Sequence, residues 1–250
     1  MCGRYTAVKS FEALAKRAGA FLRGVLYVPR YNIAPTQMAP VIFREESQTA
    51  VKQMRWGLIP SWSKAGYTGK VLVNARVETL TTQLAFREPF KRRRCLVPAD
   101  GFYEWQERSG QRQPFRVVLR SGEPFCFAGL WDRWIRPPAL EAYGPFVASH
   151  PVVKTIDSFT IITQPASATI APLHNRMPLM LAPAQFDAWL GEAGSDGEPH
   201  QTTLTNPLPD PLKIYPVGKL VNNARADGPP CIEPVVLEAD FFEQPWWDYG

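Results

Sequence analysis

Apolar runs of the length of a β-strand, separated by polar turns, recur through much of the chain. Two apolar runs, at 41–43 and 50–54, flank a polar turn, and the run 159–163 is typical of a buried strand. The turn Ser121-Gly122-Glu123 lies between two further strand-like segments, 114–120 and 124–130. This arrangement predicts a hairpin. Most of the chain is therefore predicted to be β.

Two short stretches have helical spacing instead. Apolar residues at 11, 14, 18 and 21–22 predict an early helix with Ser10 as its N-cap, and Pro183 precedes a second candidate at 184–190. Segments 136–158 and 191–211 are rich in Pro, Gly and polar residues and are predicted to be loops. The pattern predicts one α+β domain over residues 1–236, followed by a tail at 237–250.

Charge is distributed unevenly along the 250 residues. The net charge is +5, yet all 28 Lys and Arg precede residue 226, and the last 25 residues carry six acids without a base. A basic body suits a polyanionic partner such as nucleic acid, although a solvated surface explains it equally well. The acidic tail, which also holds five aromatic residues, either packs on the body or lies across a basic groove and tempers DNA binding.

The chain offers little for metal binding or membrane insertion. Its four cysteines, Cys2, Cys95, Cys126 and Cys231, are far apart without a CxxC spacing, and it has only three histidines. Reduced thiols and no metal site are predicted. We find no secretory signal and no apolar run of membrane-spanning length. A cytoplasmic protein without cofactors is expected, and nothing demands more than a monomer.

Cys2 directly follows the initiator Met. Removal of Met1, which a small second residue favours, would give Cys2 a free α-amine beside its thiol. Such a pair condenses with an aldehyde to an imine, and the thiol then closes a five-membered thiazolidine. An α-amine has a pKa of about 7.7–8.0, so more of it is nucleophilic at neutral pH than of a lysine. On its own, Cys2 is equally compatible with a small buried residue.

Three other polar positions stand where a core would exclude them. Asn74 ends the apolar run 71–73 and shares a strand face with Arg76, Glu104 stands among aromatic residues, and His174 precedes Asn175-Arg176 in a loop. Burial would raise the pKa of Glu104 unless a cation or the terminal amine lies close. Taken singly, these residues are also explained as a strand-end cap, an ion-pair partner and a surface histidine.

Together with Cys2, these residues lie in segments that resemble the SOS response-associated peptidase (SRAP) family. The blocks that carry the resemblance are MCGRY at 1–5, YNIAPTQ at 31–37, RWGLIPSW at 55–62, NARVET at 74–79, RCLVPADGFYEW at 94–105, AGLW at 128–131, FTIIT at 159–163, HNRMP at 174–178 and VNN at 221–223. The number of these blocks and their order along the chain rule against a chance resemblance. The segments 136–158 and 191–211 and the tail show no family pattern.

The resemblance implies a curved, mainly antiparallel β-sheet core flanked by short helices. It also implies a sensor of abasic sites in single-stranded DNA, with associated lyase, crosslink-reversal and autoproteolytic activity. By similarity, Cys2 forms the thiazolidine crosslink and Asn74 steadies the terminus and the opened sugar. Glu104 would then position the amine and move its proton, and His174 would act as the acid and base that opens the sugar and reverses the crosslink.

Contacts to DNA follow from the chemistry of neighbouring residues. Arg4 and Arg76 are candidates for flanking phosphates, and Trp62, Trp56 and Trp105 are candidates for stacking on unpaired bases. Recognition would be largely independent of sequence. Two other functions remain open: a cysteine peptidase or N-terminal-nucleophile amidohydrolase that uses Cys2 and His174, and a non-catalytic binder of single-stranded DNA.

Overall fold

The computed structural model describes residues 2–20, 27–46, 48–63, 71–108, 110–135, 155–191 and 211–237. All of the predicted tail at 237–250 except Leu237, and most of the two predicted loops, lie outside these residues. The described strands are β1 (Tyr5–Ala7), β2 (Arg30–Ile33), β3 (Met38–Glu45), β4 (Gln48–Trp56), β5 (Asn74–Arg76), β6 (Arg94–Ala99), β7 (Gly101–Arg108), β8 (Gln111–Leu119), β9 (Phe125–Ile135), β10 (Thr155–Pro165), β11 (Arg176–Pro178), β12 (Met180–Leu181) and β13 (Leu212–Pro216).

These strands form two sheets. The smaller sheet has the order β13-β8-β7-β1-β2, and the larger has the order β11-β10-β4-β3-β6-β9-β12, with β5 paired to β10. Pairing of β9 with β10 closes a circuit of five strands within the larger sheet. Most pairs are antiparallel, but β4 and β5 both run parallel to β10. The α+β architecture predicted from the sequence is confirmed.

The core follows the period-2 alternation of the strands. On β6, Cys95 and Val97 belong to a cluster that also contains side chains of the smaller sheet, whereas Leu96 faces the other way. The second cluster packs against three helices, α1 (Glu12–Arg17), α2 (Leu84–Arg92) and α3 (Phe186–Leu190). The strands of the larger sheet are thus covered on both faces, which explains why their sequences are nearly continuous apolar runs.

Both predicted helices are present, although the first is shorter than expected. It begins at Glu12 with Phe11 as its N-cap, so the predicted N-cap Ser10 is wrong, although the Glu12 backbone N–H donates to the Ser10 hydroxyl at 3.3 Å; it ends at Arg17, with Ala18 as its C-cap. The second follows a 3-10 turn at Pro183–Gln185. No helix of the described residues has the length and hydropathy needed to cross a membrane.

The predicted hairpin 114–130 is wrong. Strands β8 and β9 form where expected, but β8 pairs with β7 and β13 in the smaller sheet, and β9 pairs with β6, β10 and β12 in the larger one. The turn at Gly122, with φ of +72°, carries the chain from one sheet to the other. The hairpin in this region is β7–β8. The apolar run 71–73 lies just before strand β5, which begins at Asn74.

Gly129 lies where three strands come close together. A Cβ at this position would be 2.9 Å from Cys95 Sγ and 3.0 Å from the Thr160 carbonyl oxygen, one on each neighbouring strand. We therefore expect Gly129→Ala to lower the free energy of unfolding by about 1–3 kcal/mol in urea titrations. The matched control is Gly218→Ala, because a Cβ there meets nothing nearer than 3.9 Å. Equal stability of the two variants would contradict this close packing.

Candidate functional site at the amino terminus

A buried ion pair holds the first strand in place. Asp100 receives the Arg116 guanidinium at 3.1 Å and the hydroxyl of Thr6, and its second oxygen accepts the backbone N–H groups of Val8 and Lys9 at 2.7 and 2.6 Å. Both charged side chains are at least nine-tenths buried. Because one carboxylate binds several successive groups of the chain, β1 has a single position against β7 and β8.

Arg4 is a second anchor for this strand. Its Nη1 donates to Asn32 Oδ1 at 2.8 Å and to the Val221 carbonyl at 2.6 Å, and its Nη2 donates to the Asn222 carbonyl at 3.3 Å. Burial lowers the pKa of Arg4 from its ordinary value. The guanidinium predicted to bind phosphate is thus engaged with the 3-10 turn Lys219–Asn222.

Cys2 continues the line of β1 into the interior and is fully buried. The Asn74 amide, at the start of β5, donates to the Cys2 carbonyl at 2.8 Å. The other atom of that amide, Oδ1, is buried and accepts no hydrogen bond within the described part of the chain. Burial, and then the Glu104 carboxylate, raise the pKa of the Cys2 thiol well above its ordinary value. Within this pocket the thiol is protonated at neutral pH.

Glu104 lies on β7, beside strand β1, which follows Cys2 in the chain, and only 3% of its surface is exposed. Burial raises the pKa of Glu104 to about 7, while the charges of the amino terminus and of Arg112 and a hydrogen bond to the amino terminus act in the opposite direction. A carboxyl that titrates near neutrality is suited to accept and return a proton under physiological conditions.

His174 stands in the loop between β10 and β11. Its Nδ1 lies 2.9 Å from the Arg176 backbone nitrogen and 3.2 Å from the Arg176 carbonyl oxygen, so it accepts from the N–H in one tautomer and donates to the carbonyl in the other. Burial lowers the pKa of His174, as do the charges of the amino terminus and of Arg176, whereas its backbone hydrogen bond acts the other way. The lowered pKa favours the neutral imidazole at pH 7.

The structure brings the four residues predicted as catalytic to one place. Asn74 contacts Cys2 directly, Glu104 interacts electrostatically with Cys2, and the charge of the amino terminus lowers the pKa of Cys2, Glu104 and His174 alike. They come from β5, β7 and the loop before β11, which belong to both sheets. An amine on Cys2 would belong to a residue that the Asn74 amide contacts and that interacts electrostatically with the Glu104 carboxyl.

The predicted stacking residues lie in three different environments. Trp56 is fully buried, donates to the Val73 carbonyl at 3.0 Å and stacks parallel to Phe159, so it offers no face to a base. This core position disagrees with the predicted stacking role. Trp62 is 58% exposed. Arg76, the other predicted phosphate contact, is exposed at the end of β5.

Trp105 borders a cavity of about 470 Å³ beside the amino terminus. Its indole N–H donates to Asn222 Oδ1 at 2.7 Å, and the Arg112 guanidinium lies 5.7 Å from the ring centroid. Gly3, Arg4 and Pro35 complete the lining. The sequence analysis missed Arg112 because it lies outside the recognised blocks. The β7–β8 hairpin brings it opposite Glu107, near Trp105.

The described residues include all four cysteines of the chain. Among the described residues, no group of three or more His, Cys, Asp and Glu side chains is arranged to hold a metal ion. The four cysteines are free and buried.

Comparison with known proteins gives consistent matches. The sequence model of the SOS response associated peptidase (SRAP) family matches residues 1–224. The chain is 34% identical over 236 residues to the abasic site processing protein YoqW of Bacillus subtilis, which covers 93% of this chain and 99% of that protein. It is 30% identical over 280 residues to the abasic site processing protein HMCES of Gallus gallus, with 95% of this chain and 79% of that protein covered.

Solved structures agree on the fold. A protein from Bacteroides thetaiotaomicron superposes with a TM-score of 0.75 at 21% identity and covers 94% of this chain and all of its own. A protein from Bordetella bronchiseptica superposes with a TM-score of 0.66 at 27% identity, with 87% of this chain and all of that chain covered.

Proposed function

The chain belongs to the SRAP family, and from this membership we propose that it processes abasic sites in single-stranded DNA by a covalent crosslink through Cys2. The observation that carries the proposal is the convergence of Asn74, Glu104 and His174 on the buried amino-terminal end of β1. Two relatives matched over most of their length are named abasic site processing proteins, which supports the same substrate.

The proposed reaction begins after Met1 has been removed. The α-amine of Cys2 attacks the aldehyde of the ring-opened deoxyribose, and loss of one water gives an imine. The Cys2 sulfur then adds to the imine carbon, its proton passes to the nitrogen, and a thiazolidine results. The overall change joins the protein and the sugar with release of one water, and addition of water reverses it.

Asn74 and Glu104 would prepare the nucleophile. Asn74 already holds the Cys2 carbonyl, and its buried Oδ1 is placed to accept a hydrogen bond from the amine or from a sugar hydroxyl. Leaving such an oxygen unbonded is costly, so a ligand that donates to it gains free energy. Glu104 would take the proton from the ammonium group, because a carboxyl with a pKa of about 7 is half ionised at neutrality.

His174 would act at the oxygen of the sugar. The protonated ring would give its Nε2 proton to oxygen as the sugar opens and as water leaves, with the remaining Nδ1–H directed at the Arg176 carbonyl, and the neutral ring would take a proton back at Nε2 when the crosslink is hydrolysed. An imine that is not captured by the thiol loses the 3′ phosphate by β-elimination. Lyase activity is therefore the competing branch of the same chemistry, and rapid ring closure protects the strand.

The cavity beside Trp105 is proposed to take the nucleotide next to the lesion. Arg112 and the indole offer a charge for a phosphate and a face for a base. Arg4 would serve this surface by holding the 3-10 turn that carries Asn222.

The salt dependence of binding tests the two exposed guanidinium groups. Arg76→Gln and Arg112→Gln are each expected to reduce the slope of log affinity against log salt by about 0.7, since each neutralises about one phosphate of a single strand. Binding would be measured by fluorescence anisotropy with an oligonucleotide that carries a tetrahydrofuran, a ring analogue without an aldehyde. Arg17→Gln, at the contact between α1 and α3, is the matched control. Wild-type slopes in both variants would remove these residues from the DNA path.

A peptidase that uses Cys2 as a simple thiolate is less well supported. The raised pKa of the Cys2 thiol disfavours direct attack on a carbonyl, whereas in the proposed order the amine attacks first. Autoproteolysis would here remove one residue, Met1, a step that an aminopeptidase could also perform.

The experiment that tests the proposed function uses a labelled oligonucleotide with one enzymatically generated abasic site. A slow-migrating band on a denaturing gel is expected with the wild-type protein. Prior treatment of the DNA with methoxyamine, which caps the aldehyde, should abolish the band. A band that persists after capping, or no band with uncapped DNA, would contradict the proposal.

A further inference from the structure

Glu78 forms an ion pair with Arg176. It lies in the 3-10 turn Val77–Thr79 directly after β5, and its carboxylate receives both terminal nitrogens of Arg176, one of them at 3.0 Å. Arg176 is only 13% exposed, and its Nη2 also donates to the Thr163 carbonyl at 2.6 Å. Two parallel hydrogen bonds between a guanidinium and a carboxylate give a fixed relative orientation.

This ion pair joins two strands that carry site residues. Strands β5 and β11 both pair with β10, and Thr163 is the register partner of Arg76 on one and of Pro178 on the other. The Glu78–Arg176 contact therefore spans the end of β10. Asn74 begins β5, and His174 lies two residues before β11.

The backbone of Arg176 also contacts one nitrogen of the imidazole. Its nitrogen lies 2.9 Å and its carbonyl oxygen 3.2 Å from His174 Nδ1, so the relative position of these two atoms biases the tautomer and holds the ring. Displacement of Arg176 would weaken these contacts and change the balance between the tautomers. The positive charge of Arg176 lowers the pKa of His174, and the Glu78 carboxylate offsets that charge.

We propose that Glu78 is a positioning residue which, through Arg176, sets the tautomer and orientation of His174 relative to Asn74 and Cys2. The inference rests on the proposed function, since it assigns Glu78 a part in the same reaction. Glu78 touches neither Cys2 nor its carbonyl in the contacts that the described residues make, so its effect reaches the reaction only through His174.

The test compares Glu78→Gln with wild-type protein in single-turnover crosslinking. The rate is expected to fall about 10-fold, because small displacements of a catalytic group cost one to two orders of magnitude. Affinity for the tetrahydrofuran oligonucleotide should stay within about twofold, since no DNA contact is removed. Glu78→Asp, which keeps the carboxylate, should recover part of the rate. Glu88→Gln, which removes the exposed Glu88–Arg92 pair on α2, is the matched control.

A double-mutant cycle and one spectrum decide how Glu78 acts. In a His174→Gln background, Glu78→Gln should change the rate little further, because the route of its effect is already lost. In protein labelled with ¹⁵N-histidine, the ratio of the two His174 tautomers should differ between the wild type and Glu78→Gln. Only three histidines are present, and His174→Gln identifies the signal.

Three results would overturn the inference. The first is that Glu78→Gln and His174→Gln have additive effects on the crosslinking rate, and the second is that the His174 tautomer ratio is unchanged in Glu78→Gln. The third is that Glu78→Gln reacts faster and binds DNA more tightly, which would mean that the Glu78 carboxylate acts by repelling phosphate. Failure of the wild-type protein to form any adduct would instead refute the proposed function, and the tautomer measurement would still judge the link from Glu78 to His174.

Discussion

Cys2→Ser is expected to lower the yield of the denaturation-resistant crosslink by at least about 100-fold, because a hydroxyl adds to an imine far less readily than a thiol does. The side chain is fully buried, and serine fits the space of cysteine. The amine remains, so an imine still forms, and borohydride should trap it. Without ring closure the imine eliminates the 3′ phosphate, so strand cleavage should increase as the stable adduct disappears. Denaturing gels of the same reaction measure both products.

Cys95→Ser is the matched control for this prediction. Cys95 is also fully buried and free, but it lies on β6 in the core and carries no amine. Its substitution should leave the crosslink yield unchanged in protein that remains folded. A Cys2→Ser protein that still formed a stable adduct without reductant would show that another group holds the sugar.

Glu104→Gln is expected to stabilise the protein above neutral pH and to lower its rate of crosslinking. The folded-state pKa of about 7 lies above the ordinary 4.5, so the folded protein holds this proton more tightly than the unfolded chain. Its stabilising contribution is complete below pH 4.5 and is lost as the pH rises to 7. This difference in pKa corresponds to about 3 kcal/mol of unfolding free energy. Glutamine has no charge to bury, so the variant does not lose this stability as the pH rises.

Urea unfolding at pH 5 and at pH 8 measures the effect. The difference between Glu104→Gln and wild type should be small at pH 5 and approach about 3 kcal/mol in favour of the variant at pH 8. Crosslinking at pH 7 should slow by about 100-fold, at the lower end of what a general base contributes. Glu107→Gln, an exposed site on the same strand, is the control. A Glu104→Gln protein less stable than wild type at pH 8 would mean that the carboxylate is favourably paired.

The sequence predicted the strands of this protein better than their partners. Apolar runs bounded by turn residues located β3, β4, β8, β9 and β10, because such a run depends only on whether the segment itself is buried. It could not show that β8 and β9 belong to different sheets, because Ser121-Gly122-Glu123 permits a tight turn without specifying what each strand pairs with. Partner choice depends on contacts between distant segments, such as β8 with β13.

The residues of the site were likewise predicted better than their contacts. Cys2, Asn74, Glu104 and His174 were found because each is a polar residue in an apolar or conspicuous local setting, and the family resemblance linked them. Trp56 and Trp105 were indistinguishable by sequence, since both are tryptophans in matched blocks. Only the packing places Trp56 against Phe159 in the core and Trp105 beside a cavity. The Glu78–Arg176 pair joins residues 98 positions apart, which no local pattern indicates.

The most direct test is the intact mass of the purified protein before and after incubation with a single-stranded oligonucleotide that carries one abasic site. The proposal predicts a starting mass without Met1 and a product equal to protein plus oligonucleotide minus one water, formed without reductant. Iodoacetamide added after denaturation should alkylate three cysteines in the product and four in the free protein. A processed protein that gains no mass, or a product in which all four cysteines still react, would contradict a thiazolidine at Cys2.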